Sequence, residues 1–167
     1  MQWALTQKDP HISFFYPNSG MAHLLAQRLQ MQWKKNLKID VKLEPMEWKA
    51  YLGKLGSDAP ALFFLGYSAP FPDVMSHLKV FQSQSMDNRS KFSSKDYDKW
   101  LESLGSATDS ERKKLLNQML DLLVEKEQIV LPLLEKHQMA AVSKKLTGFT
   151  INPFGVMNLS KIRKTIE

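Results

Sequence analysis

Two rhythms of apolar and polar residues follow one another in the first third of the chain. His11 to Tyr16 (HISFFY) is apolar and β-rich, and Pro17 and Asn18 break the run before Ser19, a residue suited to cap a helix. Met21, Leu24, Leu25, Arg28, Leu29, Gln32 and Trp33 then recur at intervals of three and four, which predicts a helix with one apolar face ending near Asn36. In KIDVKLE, Ile39, Val41 and Leu43 alternate with Lys38, Asp40, Lys42 and Glu44, the period of a half-buried strand. A strand, helix, strand order of this kind predicts parallel pairing and helices packed on a sheet.

Further along, Met46 to Leu55 suits a short helix, and ALFFLGY reads as an apolar strand buried on both faces at the centre of the sheet. Gln82 to Asp96 is polar and serine-rich and predicts a long surface loop, with disorder of part of it as the competing reading. Tyr97 to Leu104 suits a short helix. Thr108 and Glu111 have capping-box spacing, and Leu115, Leu116, Met119, Leu122 and Leu123 carry one apolar face on to about Gln128. Ile129 to Leu134 and Gln138 to Val142 are strand-like, whereas the stretch after Gly148, with Pro153 and Gly155, reads as irregular.

A length of 167 residues suits one α/β domain with its own core. Twenty-three Lys and Arg against seventeen Asp and Glu leave a formal charge of +6. The excess is spread out, with only the pairs Lys34-Lys35, Lys113-Lys114 and Lys144-Lys145, so a solvated basic surface is expected and no nucleic-acid partner. Cysteine is absent, which excludes disulfides and thiolate chemistry. The longest apolar stretch, Ala59 to Tyr67, is too short to span a bilayer, and the opening MQWALTQKDP lacks the apolar core of a signal peptide, so no membrane insertion is expected.

Candidate chemistry is sparse. His11, His23, His77 and His137 have no second His or acidic residue at metal-ligand spacing, and neither a GxSxG elbow nor a glycine-rich phosphate loop is present, so neither cofactor nor metal is implied. The acidic pairs Asp96 with Asp98 and Glu44 with Glu47 lie in polar stretches and read as solvated surface. What remains is GYSAPFPDV, Gly66 to Val74, where an apolar strand runs out into a loop and then a helix. Ligands bind α/β proteins at such places, although a proline-bearing turn after a core strand has the same pattern.

From His11 to Ile162 the chain resembles the family 5 extracellular solute-binding proteins, the oligopeptide- and dipeptide-binding proteins of bacterial ABC importers. The resemblance rests on QMQWKKNLKIDVKLE, MEWKAYL, GYSAPFPDV, KDYDKWLESL, TDSERKKLLNQMLDLLVEKEQ, IVLPLL and LTGFTINPFG, in the family's order. It implies one lobe of a two-lobed, type II periplasmic-binding-protein-like α/β fold, a mixed sheet flanked by helices, with no catalytic role. Residues 11–150 would form part of the C-terminal ligand-binding lobe and 151–167 a return segment towards a first lobe. The implied partners are a peptide or other small solute, an ABC transporter permease and the absent N-terminal lobe, in a periplasmic or other extracytoplasmic location. In the family, backbone at the Gly-Trp-x step pairs with an extended peptide, which falls here on Gly66, Tyr67 and Ser68, followed by Ala69, Pro70 and Phe71. The tryptophan of Glu-Trp-Lys, here Trp48, faces the cleft in peptide binders; a tryptophan that merely anchors a short helix has the same pattern. Tyr67 replaces a family tryptophan, and Pro70 stands where peptide binders have the aspartate that holds the ligand's α-ammonium. A runner-up is the solute-sensing domain of a cytoplasmic transcription regulator, and an enzyme is the third class.

Overall fold

The structure, a computed structural model, describes residues 12–68, 73–135, 139–152 and 155–165. They fall into two compact units, one ending at Tyr67 and one beginning at Ser68.

In the first unit, β1 (Ile12–Pro17) and β2 (Val41–Met46) are parallel, with Ile12 opposite Val41 and Pro17 opposite Met46. The helix α1 (Gly20–Leu37) connects them, as the two rhythms predict. Ser19 caps it, its side-chain oxygen accepting the Ala22 N–H at 3.4 Å, and Lys38 closes it in the left-handed region at φ 59°. The buried face differs in detail from the expected stripe. Ala22 and Ala26 are the buried positions, with Leu29 and Trp33 packed beside them, while Met21 and Leu24 point outwards. Two alanines one turn apart let the helix sit close to Phe14, Tyr16 and Val41, a seat that larger side chains would hold open. Trp33 meets Phe14 edge-on at 5.6 Å, and Gln30 donates to the Val41 carbonyl at 2.7 Å.

ALFFLGY is neither a full strand nor the sheet centre. It contributes a single parallel bridge, Phe63 with Phe15, through Phe15 N–H to Leu62 O and Phe64 N–H to Phe15 O, and residues 62–65 stay half-buried. The central position belongs to β1, which has β2 on one side and this bridge on the other. Between them in sequence lies α2 (Trp48–Ser57), whose first N–H groups at Lys49 and Ala50 are accepted by the Glu47 carboxylate at 2.8 and 3.2 Å. Glu44 pairs with Lys42 at 2.6 Å, so neither carboxylate of that acidic pair is idle.

The second unit is helical as far as Lys126: α3 (Val74–Leu78), a 3₁₀ turn (Lys79–Phe81), α4 (Lys95–Ser103), α5 (Asp109–Leu120) and a π-helical turn (Asp121–Lys126). Leu78, Phe92, Tyr97, Leu101, Leu104, Met119 and Leu123 form its core. The serine-rich loop before α4 is tied down by its own polar groups. Asn88 donates to the carbonyls of Gln82 and Phe92, and Asp98, half-buried rather than merely solvated, accepts the Ser83 N–H at 3.0 Å. At the start of α5 the Thr108 N–H and hydroxyl both reach the Glu111 carboxylate, the capping box expected there.

Ile129 to Leu134 forms no strand, and neither do residues 139–142; Gln138, like His137, lies outside the described residues. An apolar run becomes a strand only where a neighbour takes its backbone groups. The stretch after Gly148, expected to be irregular, instead supplies β4 (Thr150–Ile151) and β5 (Met157–Asn158), which pair antiparallel, and β6 (Arg163–Lys164), which pairs antiparallel with β3 (Leu146–Thr147). Gly148, at φ +78°, allows the close approach: a Cβ there would lie 2.0 Å from the Lys161 carbonyl oxygen.

Candidate functional site

The bridge to β1 ends at Phe64, and the candidate residues Gly66, Tyr67 and Ser68 follow it. The Phe64 N–H donates to the Phe15 carbonyl at 2.9 Å, and its own carbonyl accepts the Tyr51 hydroxyl at 2.6 Å. Tyr51 is wholly buried, and its hydroxyl also reaches the Phe15 carbonyl at 3.4 Å. Burial raises the phenol well above its ordinary value, and the Phe64 hydrogen bond offsets this only in part. The hydroxyl therefore stays protonated and acts as a fixed donor.

Beyond that anchor, Gly66, Tyr67 and Ser68 are exposed, and none of them lies in a helix or strand. A Cβ built at Gly66 would meet nothing within 4 Å. Trp48 begins α2 with 52% of its surface exposed, and its ring lies 6.3 Å from that of Tyr51. Tyr51 thus links Trp48 to the peptide unit two residues before Gly66. Tyr67 is 42% exposed. The half-exposed indole and phenol offer aromatic surface that a ligand could cover. Ala69, Pro70 and Phe71 lie outside the described residues.

At the far end of the segment, Asp73 caps α3 by accepting the Met75 N–H at 2.7 Å. That bond, joined by the Arg112 guanidinium, holds its carboxyl below the usual range. Arg112 grips both Asp73 oxygens, at 2.8 and 3.0 Å, across 39 residues of sequence. The sequence reading missed this partner, because no local spacing connects the two positions. It also missed Tyr51, which reads as an ordinary apolar helix position.

Among the described residues no group of three or more His, Asp or Glu stands together as a metal site, and no helix is long and apolar enough to cross a membrane. His23 accepts or donates a hydrogen bond with the Tyr16 hydroxyl at 2.7 Å. A shallow, open groove at the β4–β5 pair, lined by Thr150, Ile151, Val156 and Leu159 among others, has no titratable side chain. What the segment and Trp48 offer is exposed backbone and aromatic surface.

No family model matches the chain. Among curated proteins it is 27% identical over 157 residues to the dipeptide-binding protein DppE of Bacillus subtilis, covering 91% of this chain and 28% of that protein. It is 36% identical over 80 residues to the oligopeptide-binding protein OppA of the same organism, covering 47% of this chain and 14% of that one. In fold, it superposes with a TM-score of 0.81 on the substrate-binding domain of an oligopeptide ABC transporter from Bacillus anthracis, at 20% identity, over 99% of this chain and 33% of that chain. The chain therefore spans about a third or less of the proteins it matches.

Proposed function

We propose that this chain, a relative of the family 5 extracellular solute-binding proteins that corresponds to part of them, supplies one wall of a peptide-binding cleft. Its fold is α/β and that of part of a type II periplasmic binding protein, with helices packed against parallel strands. Residues 11–150 belong to the C-terminal lobe and 151–167 lead back towards a first lobe carried elsewhere in the whole protein. That protein closes on a peptide or similar small solute outside the cytoplasm and hands it to an ABC transporter permease. It is a binding protein and catalyses no reaction.

The reading is supported by one observation: Gly66 to Ser68 are exposed and lie outside helix and strand directly after an anchored peptide unit, with the half-exposed Trp48 joined to that anchor through Tyr51. An extended peptide laid along such backbone gains main-chain hydrogen bonds whatever its sequence, while neighbouring aromatic faces cover its side chains. Ala69, Pro70 and Phe71 continue the same segment in sequence and complete the proposed ligand-binding set.

Calorimetric titration of the full-length protein with tri-alanine and tetra-alanine tests this. Binding in the micromolar range or tighter is expected, reduced about tenfold or more by Trp48→Ala, because removing a contacting aromatic typically costs more than 1 kcal/mol. Absence of binding to both peptides would overturn the reading.

A further inference from the structure

We propose that the β3–β6 pair and the residues flanking it form a basic patch that adsorbs to the surface of an anionic phospholipid bilayer. Lys144, Lys145, Lys161, Arg163 and Lys164 are all positive, and no Asp or Glu occurs between positions 139 and 165. The rest of the chain, eighteen Lys and Arg against seventeen Asp and Glu, is nearly balanced. The formal charge of +6, which the separate lysine pairs make look dispersed, therefore gathers at one place in the fold.

Strand pairing brings these charges together. Leu146 stands opposite Lys164 and Thr147 opposite Arg163, and the Thr165 N–H, donating to the Lys145 carbonyl at 2.8 Å, extends the pair by one more bond. Lys161 closes the other end, its carbonyl lying against Gly148, where only the lack of a Cβ permits the approach. Paired strands lie about 5 Å apart and rise about 3.3 Å per residue, so the pair is of the size of the Debye length, about 8 Å in physiological salt. The charges therefore act on a neighbouring surface as one patch. All of these basic residues are exposed, and none forms an ion pair with a described residue. Arg163 Nη1 donates to the carbonyls of Ser160 and Ile162, which leave its charge unneutralised.

What lies beside the charges favours a bilayer over an acidic protein. At the adjoining β4–β5 pair, Val156 and Leu159 are 61% and 63% exposed, and Met157 is half-exposed. Protein partners are held by aromatic anchors seated in pockets, and no Trp or Tyr occurs between 139 and 165. Flexible cations beside apolar tips instead match a bilayer, which presents diffuse phosphate charge above hydrocarbon and demands no fixed geometry. The long stems of Lys and Arg let charges from both faces of a two-residue pair reach one plane.

The test is co-sedimentation of the full-length protein with vesicles of equal parts phosphatidylglycerol and phosphatidylcholine, against vesicles of phosphatidylcholine alone. A preference of about tenfold or more for the anionic vesicles is expected at about 0.1 M salt, falling steeply at about 0.5 M. Lys145→Glu/Lys161→Glu/Lys164→Glu should lower the affinity about tenfold or more. Lys145→Gln/Lys161→Gln/Lys164→Gln should lower it in the same direction, and gives the decision if the reversal variant fails to fold. Lys99→Glu/Lys113→Glu/Lys114→Glu makes the same change in net charge at exposed positions of α4 and α5 and should stay within about threefold of wild type. Equal binding to the two kinds of vesicle, no loss in the patch variants, or equal losses in the patch and the α4–α5 variants overturns the proposal. Failure to bind either vesicle overturns it as well, and leaves an acidic protein face as the partner of the patch.

Discussion

The Tyr51 hydroxyl donates to the Phe64 carbonyl at 2.6 Å, and this one hydrogen bond joins the helix that carries Trp48 to the backbone that leads into Gly66. Replacing Tyr51 by phenylalanine keeps the buried ring and removes the donor. The loss should be about 1 kcal/mol, the usual size for one internal hydrogen bond, lowering the melting temperature by a few degrees. Thermal unfolding followed by circular dichroism measures it; an unchanged midpoint would show that the bond anchors nothing.

Tyr16, Tyr51 and Tyr97 all have phenols raised by burial. A folded-state value above the unfolded one means that the native state holds the proton more tightly. The resulting stability is complete below the unfolded value of about 10 and declines as pH rises past it. Ultraviolet titration should therefore show these three phenols ionising later than a model tyrosine, Tyr51 and Tyr97 only with alkaline unfolding. Tyr51→Phe and Tyr97→Phe should each remove one late-titrating group.

The acidic side runs in the opposite sense. Asp73 is lowered by the Met75 N–H and by Arg112, and Glu111 by its hydrogen bonds to the Thr108 hydroxyl and N–H. Their contribution is present above the unfolded carboxyl values of about 4 and is lost as pH falls through the lower folded values. Carbon-13 NMR titration of the side-chain carboxyls should find both below the model values, with Asp73 moving back up in Arg112→Met.

Gly148→Ala should loosen the β3–β6 pair. The substitution meets both a positive φ and a Cβ 2.0 Å from the Lys161 carbonyl oxygen, so the backbone must shift, at a cost of about 1–3 kcal/mol. Hydrogen exchange at Thr165, whose N–H bonds to the Lys145 carbonyl, should quicken while exchange at Phe14 is unaffected. Equal protection in both proteins would contradict the strained geometry.

On the proposed reading, Pro70 belongs to the ligand-binding segment. An ammonium taken out of water needs a matching acceptor, and proline provides neither a side-chain acceptor nor a backbone donor. Asp73, three residues on, has both oxygens engaged by Arg112. Tri-alanine and its N-acetylated form are therefore expected to bind the full-length protein within about threefold of each other, and Pro70→Asp to shift the preference towards the free amine. A strong free-amine preference in the wild type, unchanged by Pro70→Asp, would contradict this.

The strand, helix and strand of the first unit are legible in the sequence because the first is a β-rich apolar run stopped by Pro17 and the other two keep a period, and the capping box marks α5 by its spacing alone. Which side of α1 is buried is less legible. Met21 and Leu24 look more hydrophobic than Ala22 and Ala26, but the close seat on β1 selects for size, which periodicity does not register. ALFFLGY and Ile129 to Leu134 show the limit of apolar runs, since strand formation depends on a neighbour that local sequence does not reveal. The two-residue pairs after Lys145 are too short to have a period at all. Of the candidate site, the exposed segment and Trp48 follow from the family resemblance, whereas Tyr51 and Arg112 depend on contacts across 13 and 39 residues and leave no local trace.

Amide hydrogen exchange of the full-length protein, with and without saturating tri-alanine, tests the peptide-binding wall most directly. A peptide paired with the backbone should slow exchange at Gly66, Tyr67 and Ser68, which are exposed and outside helix and strand, with little change in the helical core around Leu101 and Met119. Saturation by tri-alanine that leaves Gly66 to Ser68 exchanging at the ligand-free rate would contradict the assignment of this segment to the cleft.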